Sequence, residues 1–211
     1  MNIGIIGSGN MGSGLGKLWA NHGHKILFSY TRDLHKLKGL AKSIGPNTQA
    51  GTPAEAAQFG EVVLLCVPWI VIDDALQATG SLAGKILIDC TMPLAPDLSS
   101  LLVGHTISGS EVVAKKVPQA RVVRAFNTTF AEVLNSEART FCSKKAAIFY
   151  CGDDEVALAV VADLIRVCGF EAVDAGPLVN SRYIESLAML WMQFAYFLGM
   201  GSYIGVQLLQ R

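Results

Sequence analysis

Asn2-Ile3-Gly4-Ile5-Ile6-Gly7-Ser8-Gly9-Asn10-Met11-Gly12 opens the chain. Asn2 to Ile6 is a short apolar run of the kind that forms a buried strand. It leads straight into Gly-x-Gly-x-x-Gly, and helical spacing follows from Met11 to Asn21. Strand, glycine loop and helix in that order are what a dinucleotide pyrophosphate requires. Gly7 permits the tight turn, Gly9 lets the backbone approach the phosphates, and Gly12 brings helix against strand. The free N–H groups of the first helical turn point at the anion. Ser8, Asn10 and Met11 complete the loop and are read with the glycines as cofactor-binding positions.

Outward from this loop, short runs rich in Ile and Val alternate with helical segments. The strands are expected at residues 2–6, 25–29, 62–67, 86–89, 121–125, 147–151 and 171–174. Helices are expected at 11–21, 33–43, 53–58, 69–79, 110–116, 129–135 and 153–167. Continuous apolar strands joined by helices predict an α/β fold with a doubly wound, mostly parallel sheet covered on both faces. Asp153 is the expected N-cap of the helix near 154–167, and Gly169 ends it. Beyond Gly176-Pro177 the pattern turns helical. This predicts a dinucleotide-binding domain over 1–175 and a carboxyl-terminal helical segment over 176–211 that closes the substrate pocket.

Composition narrows the function. With 211 residues, 51% hydrophobic and 16% charged, the chain can bury a full core. Seventeen cationic residues balance seventeen acidic ones, so there is no long-range positive field, and nucleic acid is not expected as a partner. The five cysteines form no Cys-x-x-Cys pair and lie in apolar runs, which reads as reduced thiols without a metal. The amino terminus shows no charged leader, so a cytoplasmic protein is expected. Ser186 to Gln210 contains no Asp, Glu, Lys or Arg, but Gln193, Gln207 and several glycines interrupt it. That run is expected to be a buried or dimer-forming helix followed by a turn, with no membrane span.

The second strand selects the dinucleotide. An enzyme using NAD places an acid about 20 residues after the glycines for the ribose hydroxyls. Here the strand ends Ser29-Tyr30-Thr31-Arg32, with Lys36 one helical turn on, and no acid precedes Asp33. Arg32 can clamp a 2′-phosphate through its planar fork, Ser29 and Thr31 can donate hydroxyls, and Lys36 adds charge. Lys36 and Arg32 at a helix start also oppose its dipole and invite a compensating anion. NADP is therefore expected.

In a doubly wound sheet the ring end of the cofactor lies beyond the carboxyl ends of the strands. Val67, Pro68, Thr91 and Asn127 leave three of these ends and are expected to position the nicotinamide. Trp69, Met92, Pro93, Thr128, Tyr183 and Leu187 are expected to line the substrate side. For most of these residues, turn, cap or packing roles are the plainer alternative.

The glycine loop, Thr31-Arg32, Cys66-Val67-Pro68-Trp69, Ala125-Phe126-Asn127-Thr128, Asp174-Ala175-Gly176-Pro177-Leu178 and the Gly199-Met200-Gly201 tail together resemble the NADP-dependent 8-hydroxy-5-deazaflavin oxidoreductases, over essentially the whole chain. Arg124 to Thr128 is closer to the NADPH-binding domain of the membrane metalloreductases, which are related and use a flavin. The resemblance implies hydride transfer between NADPH and a deazaflavin or flavin-like electron acceptor, in a soluble homodimer. No residue is expected to act as nucleophile or general acid: no Tyr-x-x-x-Lys pair occurs, and the chemistry asks for placement. Two other readings stay open, an NADP-dependent reductase of a small carbonyl or imine and a non-catalytic NADPH-sensing module.

Overall fold

The computed structural model describes residues 1–31, 33–137 and 139–209. Strand β1 (Asn2–Ile6), helix α1 (Asn10–Asn21), β2 (Lys25–Ser29), α2 (Leu34–Ile44), β3 (Thr48–Ala50), α3 (Pro53–Phe59), β4 (Val62–Leu65), α4 (Ile72–Thr79) and β5 (Ile86–Asp89) make the first half. Then come α5 (Gly109–Lys116), β6 (Arg121–Arg124), α6 (Ala131–Asn135), the hairpin β7 (Thr140–Phe141) and β8 (Lys144–Lys145), β9 (Ala147–Gly152), α7 (Glu155–Val167), β10 (Glu171–Asp174) and α8 (Ser181–Met192). The main sheet has the order β10-β9-β6-β5-β4-β1-β2-β3. All its pairings are parallel except β6 with β9. The doubly wound, mostly parallel sheet is as expected.

The central strands β1, β4 and β5 are buried on both sides because helices cover both faces. One apolar cluster joins Ile3, Ile5, Leu64 and Ile88 to Leu15 and Trp19 of α1 and to Val161 and Ile165 of α7. The opposite cluster joins Ile6, Val63, Leu65 and Leu87 to Ala56, Ile72, Leu76 and Val113. Trp19 is fully buried because its indole N–H has a partner, the Leu164 carbonyl at 3.1 Å.

Local chemistry sets the helix starts. Thr52 and Glu55 form a reciprocal capping box ahead of Pro53, and Asp33 accepts from the amides of His35 and Lys36. One cap differs from expectation. Asp154, not Asp153, caps α7 by accepting from Ala157 N at 2.8 Å. Asp153 accepts from Leu178 N at 2.9 Å and so ties the end of β9 to the carboxyl-terminal segment.

That segment begins after Gly176, whose φ of +84° reverses the chain. Helix α8 continues into a π-helical turn over Gln193–Phe197, and irregular chain follows. No helix among the described residues is long and apolar enough to cross a membrane.

Candidate active site

The glycine loop has the geometry its residues require. Gly7 adopts φ +109°, and a Cβ there would strike the Cys66 carbonyl. A Cβ on Gly12 would strike the Gly7 carbonyl. Gly9 is different. It is extended (φ −68°, ψ −170°) and exposed, and nothing lies within 4 Å of where its Cβ would stand. Gly9 caps α1 without a side chain, and the first turn holds no acid, so its amides face an open cradle fit for an anion. Asn10 is exposed beside this cradle, and Ser8 and Met11 are half-buried.

At the end of β2 the expected phosphate site is only partly assembled. Arg32 lies outside the described residues. Thr31 and Lys36 are exposed. Ser29, by contrast, is fully buried, and its hydroxyl donates to the Ile5 carbonyl at 2.8 Å, so it binds β2 to β1 and is withdrawn from any ligand. The negative charge expected at the start of α2 is supplied by the Asp33 carboxylate, which accepts at 3.0 and 3.1 Å from the helix amides.

The carboxyl ends of β5 and β6, the start of α1 and helix α8 enclose a cavity of about 270 Å³. Asn10, Met11, Met92, Asn127 and Thr128 line it with Trp191. Three buried polar atoms on its wall have no hydrogen-bond partner among the described residues: Asn127 Oδ1, Thr128 Oγ1 and Trp191 Nε1. Each is costly to leave unpaired. Asn127 is held by its amide, which donates to Ile184 O at 3.4 Å and approaches Met92 Sδ at 3.6 Å. Phe126 beneath it is fully buried at φ +64°, a strained backbone for a bulky residue, and stacks edge-on against Trp19 with centroids 5.9 Å apart.

The other expected ring and substrate residues divide. Thr91 is buried and donates to Asp89 Oδ1 at 2.7 Å, so its hydroxyl is turned into the protein rather than toward a ligand. Val67 is buried in the core face opposite α1. Pro93 is buried against the start of α5. Pro68 and Trp69 line a separate groove of about 620 Å³ between the start of α4 and the 94–102 loop, and Met92 is wall to both spaces. Tyr183 and Leu187 line neither. They border a shallow groove of about 300 Å³ beside Phe149 and Ala175, because that face of α8 turns away from the sheet ends.

Under the cavity floor lies a buried charge cluster. Arg124 donates to Asp89 Oδ2 at 3.0 Å and stands 3.8 Å from Glu185 Oε1, and the three side chains are essentially inaccessible. Burial pulls the Arg124 pKa down, but the facing Asp89 and Glu185 carboxylates outweigh it, and the guanidinium is held above its ordinary value. Burial raises the Glu185 pKa against the opposing pull of Arg124. Glu185 also accepts from the amides of Gly109 at 2.8 Å and Ser110 at 3.1 Å, so a carboxylate from α8 sits on the positive end of α5.

Next to it, Arg182 grips Glu111 through two bonds of 2.7 and 2.6 Å, and the Arg182 guanidinium lowers the Glu111 carboxyl from 4.5 to about 2. Because the folded-state pKa is depressed, the clamp stabilises fully above the unfolded value and is lost as pH falls from about 4.5 toward about 2. Replacing Arg182 by Ala is expected to destabilise the protein at neutral pH and to move acid unfolding to higher pH. Urea titrations at pH 7 and pH 3 check both, and an unchanged acid profile would remove the clamp from the account.

Residues 2–93 match the family model described as NADP oxidoreductase, coenzyme F420-dependent. Over 205 residues the chain is 30% identical to the F420-dependent NADP reductase of Methanocaldococcus jannaschii, with 90% of each protein covered. The chain belongs to that family of reductases. A solved structure from Arthrobacter sp. FB24, provisionally described as an F420-dependent NADP reductase, superposes with a TM-score of 0.88 at 25% identity over 99% of both chains. The match to the rat metalloreductase STEAP3 is 27% over 187 residues and spans 89% of this chain but 36% of that protein, so it concerns about a third of the metalloreductase.

The sequence motifs leave several wall residues unread. Trp191, Met192 and Tyr196 line the cavity from α8 and the turn beyond it, and Phe130, which packs edge-on against Tyr196 at 5.6 Å, faces them. Their signal was the charge-free run from Ser186 onward with aromatics at 191, 194, 196 and 197. Such a run reads equally well as core, which is why geometry was needed.

Proposed function

We propose that this reductase carries a hydride between NADPH and an 8-hydroxy-5-deazaflavin in the cavity between Asn10–Met11 and Trp191. The observation that supports this reading is a cavity lined both by Asn10 and Met11 of the glycine loop and by Asn127, Thr128 and Trp191, whose buried polar atoms lack partners among the described residues. When bound, NADPH supplies the hydride and the deazaflavin ring accepts it. The protein's own part is placement. Gly7, Ser8, Gly9, Asn10, Met11 and Gly12 hold the pyrophosphate, Asn127 orients the carboxamide of the ring, and Thr128 and Trp191 bond the polar edge of the acceptor. Helix α8 and the turn beyond it close the site and exclude water.

Arg32, with Thr31 and Lys36, is assigned the 2′-phosphate on the strength of the sequence. Arg32→Ala is expected to weaken NADPH binding about 10–100-fold with little change for NADH. Calorimetric titration with both nucleotides checks it, and equal losses would reject the assignment. The activity itself is tested by following nicotinamide absorbance with a deazaflavin, a flavin, a quinone and a cyclic imine in parallel. Turnover confined to the imine would replace the proposed acceptor.

The protein is further proposed to be a cytoplasmic homodimer. Support comes from apolar side chains left exposed on and after α8, among them Tyr183, Leu190, Tyr196, Phe197 and Leu198. Sedimentation of the purified chain decides it.

A further inference from the structure

Cys66 and Cys90 directly follow the adjacent parallel strands β4 and β5. The register of β4 on β5 pairs Leu65 with Asp89, and Cys90 N donates to Leu65 O at 3.0 Å, so the next residue of each strand stands opposite the other. Directly opposed residues on neighbouring strands lie about 5 Å apart at Cα, inside the range of about 4.4–6.8 Å that a disulfide spans. Both side chains lie on the α1 side of the sheet, where Cys66 packs against the cluster that contains Cys90. Cys90 Sγ donates to the Phe126 carbonyl at 3.7 Å, and the neighbouring Cys66 thiol, together with burial, pushes the Cys90 thiol well up. Cys66 is half-exposed, whereas Cys90 is buried but forms part of the cavity wall. Their environment differs from that of Cys151 and Cys168, which are buried singly with thiols raised to about 12, and from exposed Cys142.

We infer that Cys66 and Cys90 are a redox-active dithiol at the cavity, which a hydroperoxide converts to an intrachain disulfide. Cys66, the more accessible thiol, attacks the peroxide oxygen. An S–O bond forms, the O–O bond breaks, and the departing alkoxide takes the Cys66 proton to leave as an alcohol, or as water from hydrogen peroxide. The Cys90 sulfur then displaces hydroxide from the Cys66 sulfenic acid. The S–S bond forms, the S–O bond breaks, and the hydroxide takes the Cys90 proton and leaves as water. The two thiols lose two electrons in all and the peroxide gains them. The product ties together the ends of β4 and β5, which carry Val67–Pro68 and Thr91–Met92. Insofar as NADPH fills this cavity, as proposed above, it covers Cys90 and slows the oxidation.

The test uses the full-length chain with Cys142→Ser, so that the exposed thiol does not compete. One equivalent of hydrogen peroxide, followed by alkylation and intact mass, is expected to show a loss of about 2 Da and two fewer alkylated thiols. Tryptic peptides 43–85 and 86–115 are expected to be joined. Cys66→Ser and Cys90→Ser, each added to Cys142→Ser, are both expected to abolish the cross-link, and the Cys90→Ser protein is expected to retain a trappable sulfenic acid on Cys66. Oxygen adducts without the 43–85/86–115 link, or a link through Cys151 or Cys168, would overturn the inference. NADPH binding by the reduced protein is measured separately by fluorescence. Its absence would reject the functional reading while leaving the disulfide result intact.

Discussion

Arg124→Met is expected to destabilise the protein by about 3–5 kcal/mol, more than the loss of the neighbouring Arg182 clamp. Met matches much of the aliphatic volume, so the loss is electrostatic. In the wild type one guanidinium faces two inaccessible carboxylates, Asp89 at 3.0 Å and Glu185 at 3.8 Å. Without the cation, two negative groups remain in a site that water does not reach, although the Gly109 and Ser110 amides still bond one of them. The pH dependence has a definite sign. Burial already raises the Glu185 pKa, and loss of Arg124 removes the main opposing effect. A raised carboxyl stabilises in its neutral form, so the stability it contributes is present below the ordinary carboxylate value and is lost as pH rises through the folded-state pKa. The variant is therefore expected to regain part of its loss as pH is lowered from 7 toward 5. Urea midpoints across that range measure it, and a loss under about 1 kcal/mol at pH 7 would show that the cluster is not paired as described.

The same cluster shows what could and could not be read from the sequence. Asp89 and Arg124 each end an apolar run, and the parallel register places them opposite one another on β5 and β6. Once the strands were assigned, that pairing was within reach of the sequence. Glu185 was not, because its partners lie more than 60 residues away and no local pattern aims a helix carboxylate at the start of another helix. The seven expected strands all form, since each is an apolar run bounded by turn residues. The misses are short and polar: β3 has three residues, and the β7–β8 hairpin pairs only two on each side around Cys142 and Ser143, both at positive φ. Periodicity needs more residues than that to register.

Within the site, the glycine loop is legible because Gly7 needs a positive φ and a Cβ at Gly7 or Gly12 would strike backbone. Ser29 and Thr91 are hard to read because a hydroxyl at a strand end has two outlets, ligand or sheet, and only packing decides between them. Here both turn inward, to Ile5 and Asp89. Leu187 directly precedes the wall residue Ala188 of α8, yet it borders a different groove with Tyr183. A helix places successive residues about 100° apart, so nearness in sequence does not fix the face.

Gly9→Val is expected to raise the Kd for NADPH about 100-fold or more while leaving the fold intact. The backbone at Gly9, φ −68° and ψ −170°, is one that valine adopts readily, and nothing lies within 4 Å of the added Cβ. Neither strain nor a clash therefore opposes folding, and the melting temperature should hold. Gly7 and Gly12 provide the contrast, because a Cβ at either collides with backbone, and any loss of binding there mixes with loss of structure. The space that valine fills above the loop is the space through which a pyrophosphate must reach the first amides of α1. Excluding two such charge-assisted bonds, at about 1.5 kcal/mol each, corresponds to about 100-fold in affinity. Calorimetric titration beside a thermal melt separates the two effects. A Gly9→Val protein that melts normally and still binds NADPH within about threefold of wild type would place the pyrophosphate away from this loop, and with it the nicotinamide away from the Asn127 cavity.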